Sequence, residues 1–215
     1  MNTLFLLASL VCSAEPLDDG TLLFLENANS VVKVATGAKI GHVAIAMTEA
    51  GQPWIYEATP ARVRRVTPET YYEELARINA KRDEDEKKIR MLAAAPKQPY
   101  TAAEKQAMRE FLATQIGRRY SVMNYVKDKD GDGIHCAELA GGMLNASGRH
   151  SFDEPRSIHP ARFYDLVQPT HKTATLVELP SAAAKETWCE RADRRWGEVW
   201  RWSCWGCGEA WSFCF

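Results

Sequence analysis

Apolar residues along this chain gather in short runs broken by glycine, proline and charge. Thr21-Leu-Leu-Phe-Leu25 follows the turn residues Asp18-Asp19-Gly20 and reads as a buried strand. Asn27 to Thr36 places Val31, Val32 and Val34 before Gly37, the pattern of a short helix. Val43-Ala-Ile-Ala-Met47 and Pro53-Trp-Ile-Tyr-Glu-Ala58 read as strands joined by Glu49-Ala-Gly-Gln52, which predicts an antiparallel hairpin. Val63-Arg-Arg-Val66 adds a short strand. Thr67 then caps a helix, with Pro68 at its first position and Glu69 in its first turn. Lys81 to Lys88 is a solvated charge run, and Ile89-Arg-Met-Leu-Ala93 returns as a strand. Thr101-Ala-Ala-Glu104 is a capping box, opening a helix with Met108, Phe111, Leu112 and Ile116 at helical spacing and Gly117 as its stop. Pro160 to Leu166 predicts a short helix and Thr173 to Leu179 a last strand.

Between these lies the stretch on which the rest is organised. Tyr120 to Val126 leads down to the polar loop Asp128-Lys-Asp-Gly-Asp-Gly133, which runs straight into His135-Cys-Ala-Glu-Leu139. Cys136 falls in the first turn of the predicted helix, where unpaired backbone N–H groups and the helix dipole stabilise a thiolate. Gly148 stops that helix after Met143 and Leu144. Gly141 and Gly142 cost about 1 kcal/mol each relative to alanine inside a helix, which predicts the close approach of another backbone. A lone cysteine so placed is also what a buried structural residue looks like.

The chain has 215 residues and a net charge of −1, which gives no electrostatic case for nucleic acid. No apolar run is long enough to span a membrane. A shorter run, Leu4 to Val11, precedes Cys12-Ser13-Ala14, an A-x-A-like cleavage site that predicts a signal peptide over 1–14 and an exported protein. Met1-Asn2-Thr3 lacks the basic residue usual before such a run. Four of the six cysteines, Cys189, Cys204, Cys207 and Cys214, crowd the C-terminal segment. In an exported protein they predict disulfides in one of three pairings, with zinc as the other reading. Cys136 is then the odd thiol. From Ala182 onward Trp188, Trp196 and Trp200 fall at helical spacing, but acidic and basic residues balance, so this is no polybasic anchor. A helix folded back on the domain fits better. The organisation read from the chain is a domain over 15–180 and a Cys/Trp-rich appendage over 181–215.

Thiol catalysis needs a base and a group that orients it. Of the five histidines, His42 stands where an apolar strand begins, and Glu57 sits on the partner strand of the hairpin. Matching faces would bring the two within reach. His42, Glu57 and Cys136 are therefore base, orienter and nucleophile. Singly, His42 could be a water-satisfied histidine at a strand end and Glu57 a solvent-facing acid.

The segments Gly20-Thr-Leu-Leu-Phe24, Ala35 to Ala46, Tyr56-Glu-Ala58 and His135-Cys-Ala-Glu-Leu139 resemble the circularly permuted NlpC-type papain-like hydrolases of the YiiX-like group, with His before Cys. The resemblance spans about 18–147. It implies an α+β fold, an antiparallel sheet packed on the helix that carries Cys136. It also implies a Cys136–His42–Glu57 triad with the Cys136 N–H in the oxyanion hole. His135 replaces the group's Tyr, Ala137 its Ser, Gly41 the Ser before His, and Thr21 an acidic residue. His135 is expected on the pocket rim and, with Tyr56, against substrate.

The expected activity is thiol-dependent cleavage of an amide in a cell-wall peptide through an acyl-enzyme, with no cofactor. Lipid esterase or acyltransferase chemistry, with an acyl-lipid substrate, and a catalytically silent wall- or calcium-binding module are the alternatives. Asp128, Asp130 and Asp132 match the first half of a calcium loop, but the twelfth position is Leu139 where a carboxylate is needed. A polar turn fits that segment better.

Overall fold

A computed structural model describes residues 17–28, 38–82, 84–121 and 133–180. The expected signal peptide, the body of the helix over 27–36, the aspartates of the calcium-like loop and the appendage lie outside the described residues. The described chain is α+β, a six-stranded antiparallel sheet with four α-helices. The strands are β1 (Thr21–Glu26), β2 (Ile40–Glu49), β3 (Gln52–Ala58), β4 (Val63–Val66), β5 (Arg90–Ala94) and β6 (Thr175–Val177). They lie in the order β4-β3-β2-β1-β5-β6. The helices are α1 (Pro68–Asn79), α2 (Ala102–Gln115), α3 (Cys136–Ala146) and α4 (Pro160–Val167).

The unbroken apolar run of β1 is explained by its place. It pairs on both sides, with β2 and β5, and both of its faces are buried. Alternate residues divide between two cores. Leu22, Phe24, Val43, Ile45 and Tyr56 pack with Met108 and Leu112 of α2, Cys136, Leu139 and Leu144 of α3, and Phe163 of α4. Leu23, Leu25, Ala44 and Ile55 pack with Tyr71, Tyr72 and Leu75 of α1. The sheet therefore has a second covered face beyond the one-sided packing expected.

The capping signals hold in place. Thr67 Oγ1 accepts the Thr70 N–H, and Thr101 and Glu104 form the reciprocal capping box. Gly148, at φ +75°, follows α3 in the left-handed conformation that ends helices. Gly142 meets a different neighbour from the one expected. A Cβ there would lie 2.4 Å from the Phe111 ring, so the close approach is to an aromatic side chain of α2, not to a backbone. Together with Ala137 and Ala140, both fully buried, it lets α3 press close to its neighbours.

Candidate active site

The strand pairing explains how the site arises. β2 and β3 pair from Glu49↔Gln52 to Ile45↔Tyr56. Continued one step, Ala44 opposes Glu57, and His42 is Glu57's diagonal neighbour on the same face. The β2–β3 ladder stops short of that step, although β2 stays paired with β1 as far as Ile40 and β3 stays paired with β4 through Ala58. The sheet thus opens between β2 and β3 beyond Ile45 and Tyr56, and His42 and Glu57 flank the opening. The His42 Nε2 lies 3.1 Å from Glu57 Oε2. The other oxygen, Oε1, accepts the Arg64 Nε–H at 2.8 Å. Arg64 stands directly across β4 from Glu57 and reaches on to Glu74 of α1, with Nη1 3.2 Å from Oε1.

Cys136 comes from the other layer. It is the first residue of α3, 2 % exposed and a free thiol. The segment before it is fixed from the far side of the loop: the Ile134 N–H donates to Arg119 O at 2.8 Å. His135 caps the helix, its Nδ1 accepting the Glu138 N–H at 3.2 Å. Its Nε2–H donates to Arg156 O at 2.8 Å, in the short 3₁₀ turn Pro155–Ser157. These partners call for the neutral Nε2–H tautomer.

The electrostatics join the two layers. Burial alone would push the His42 pKa down. Attraction and hydrogen bonding to Cys136, then to Glu57, reverse this and raise it to about 10. Burial would push the Cys136 thiol up, yet the charge of His42 and hydrogen bonds to His135 and His42 bring it down to about 6. Burial likewise opposes ionisation of Glu57, and His42 and Arg64 overcome it, so this carboxyl is held below its ordinary range. Between the two limits the coupled pair is thiolate and imidazolium, and the proton sits on His42. Burial works against a charge on His135, but hydrogen bonding and attraction to Cys136 raise its pKa too. Protonation at Nδ1 would cost the helix cap.

The structure therefore brings Cys136, His42 and Glu57 together. His135 differs from the expected rim residue: it is 1 % exposed, because a helix cap at this depth turns the ring inward. Tyr56 is also buried, and its hydroxyl donates to Glu49 rather than facing the thiol. The sequence reading missed Arg64. Its signal was the predicted Val63–Val66 strand, whose register had to place an arginine across from Glu57. A shallow surface hollow lined by Asp19, Thr48, Lys105 and Arg109 lies apart from these residues. Asp19 there is already paired with the Thr48 N–H and with Lys105, which leaves the hollow a weaker candidate than the buried thiol.

No family model and no curated protein matches the chain. Among solved structures the fold is similar to the crystal structure of metalloprotein yiiX from Escherichia coli O157:H7, with a TM-score of 0.53. The match covers 77 % of this chain and 99 % of that one at 14 % identity. That likeness establishes a YiiX-like fold.

Proposed function

We propose that this protein is an exported thiol hydrolase of the circularly permuted NlpC-type papain-like kind, cleaving an amide in a cell-wall peptide. One observation carries the reading. A thiol at the first position of a helix is coupled to an imidazole whose far nitrogen is held by a buried carboxylate.

With Nε2 engaged by Glu57, Nδ1 is the nitrogen left to serve the thiol. The Cys136 thiolate adds to the substrate carbonyl carbon, and the carbonyl oxygen takes up the negative charge. The N–H of Cys136 at the start of α3 faces that charge, and such donors are worth roughly 3–4 kcal/mol of barrier. His42 gives its proton to the leaving amine as the C–N bond breaks. A water molecule, deprotonated by His42, then hydrolyses the thioester and returns the thiol. Glu57, fixed by Arg64, holds the ring in one orientation and stabilises its charged form.

The YiiX-like neighbour is described as a metalloprotein. Among the described residues here, no three His, Cys, Asp or Glu side chains are grouped to hold a metal ion. Both Glu57 oxygens and the His42 Nε2 are already engaged within the protein. These residues do not fit a metal centre, and the mechanism has no metal step.

The test is incubation with purified wall fragments and, in parallel, with acyl lipids, following new amine or fatty-acid ends. Native protein should release amine ends and show a transient acyl adduct on Cys136 by intact mass, and Cys136→Ala should do neither. Release undiminished in Cys136→Ala would end the proposal, and release from lipids alone would reassign the substrate.

A further inference from the structure

Tyr71 of α1 holds a hydroxyl that the fold does not use. Its ring is 2 % exposed, and its Oη is buried with no hydrogen-bond partner among the described residues. Buried polar groups are nearly always paired, and an unmade hydrogen bond costs the full desolvation of the group. Phenylalanine would fill the same space without that cost.

The hydroxyl's position suggests why it is there. Tyr71 packs on the sheet face that bears Leu25, Ala44 and Ile55. Leu25 is the direct partner of His42, and Ala44 and Ile55 share the faces of His42 and Glu57 along their strands. On α1, Tyr71 is one turn from Glu74, which binds Arg64, which in turn binds Glu57. Tyr71 and Glu74 thus present one side of α1 to the opening between β2 and β3. Burial, and then the nearby charges of Glu57 and Cys136, hold the phenol well above its ordinary pKa, so it remains a neutral donor. The thiol is as deeply buried as the phenol, each 2 % exposed.

We propose that the Tyr71 hydroxyl is a catalytic hydrogen-bond donor, reserved for the acyl oxygen of the substrate as it becomes negative during attack by Cys136. This rests on the hydrolase reading above. It adds a side-chain donor from α1 to the backbone donor of α3, so the oxyanion would be held from both layers of the fold.

Two reactions at the same sulfur separate this role from any other. Iodoacetamide is attacked at a saturated carbon: an S–C bond forms, iodide leaves, and no oxyanion develops. p-Nitrophenyl acetate is attacked at its carbonyl: an oxyanion forms and collapses, p-nitrophenolate leaves, and acetyl-Cys136 remains until water hydrolyses it. Both rates and the melting temperature would be measured in native protein and in Tyr71→Phe.

The expected result is an acylation rate lower by roughly 100-fold in Tyr71→Phe. Its alkylation rate and pH profile should be unchanged, and its melting temperature equal or higher. Equal losses in both reactions would overturn the proposal and make Tyr71 a residue that positions the thiol. Acylation unchanged in the variant would overturn it outright, as would a fall in melting temperature that tracks the lost rate. Native protein that is alkylated readily but never acylated would instead remove the hydrolase reading, and this role with it.

Discussion

Two histidines in this molecule lose water to the fold and respond in opposite directions. His42 sits between a thiol and a carboxylate, and its pKa rises to about 10. His150 follows α3 and stacks on Phe152, its ring 5.6 Å away and nearly parallel. Burial lowers the His150 pKa to about 4, helped by the charges of His171 and Arg149. The Tyr100 hydroxyl lies 3.4 Å from His150 Nε2. Burial acts on both rings in the same sense. What differs is the sign of the neighbouring charge. A histidine among anions becomes a store for a proton, whereas one among aromatic rings and cations becomes a neutral packing element.

Four substitutions sharpen or break that contrast. The largest effect is expected from His42→Ala, which removes the proposed base. Turnover should fall by roughly 100- to 10,000-fold, followed with the substrate identified in the wall-fragment assay. Glu57→Gln keeps the shape but removes the charge that sustains the imidazolium. A loss of roughly 100-fold or more is expected in kcat, with the His42 proton lost at lower pH, read from the alkaline limb of the rate profile. Arg64 is about one-third exposed, so Arg64→Met should cost at most about 5-fold at pH 7. Without the guanidinium the pKa of the Glu57 carboxyl should rise toward its ordinary range, while the acid limb of the profile, set by the Cys136 thiol near 6, should stay in place.

His150→Phe should leave turnover unchanged and show itself only in acid. The folded pKa of His150 lies below that of the unfolded chain, so the unfolded state takes up its proton first. Native protein therefore loses stability as pH falls from about 6.5 to about 4. The variant should lose less melting temperature across that window. An unchanged slope would mean that His150 is not the neutral residue described.

Much of this contrast could be read from the chain. The apolar runs Val43–Met47 and Pro53–Ala58 located β2 and β3, and the turn between them fixed their antiparallel sense, which brought His42 toward Glu57. The Thr67 and Thr101 caps and Gly148 marked helix ends correctly, because such signals are local. Long-range register was less legible. The opening between β2 and β3 depends on each strand keeping its outer partner, and no local pattern encodes that. Arg64 and Tyr71 were hidden for the same reason. One looks like a solvent-facing strand residue and the other like ordinary helix core until the layers are assembled. His135, expected on the pocket rim, is buried instead. A cap residue turns its side chain back toward the helix's first turn, and so toward its neighbour.

The central claim is that Cys136 and His42 form one ion pair. Its most direct test is the rate of iodoacetamide alkylation at Cys136 against pH, read by peptide mass spectrometry in native protein and in His42→Ala. The account predicts a midpoint near 6 in the native protein, moved to about 8.5 or above in the variant. The same midpoint in both, at the ordinary thiol value, would show that Cys136 is a structural cysteine and that His42 does not hold its proton.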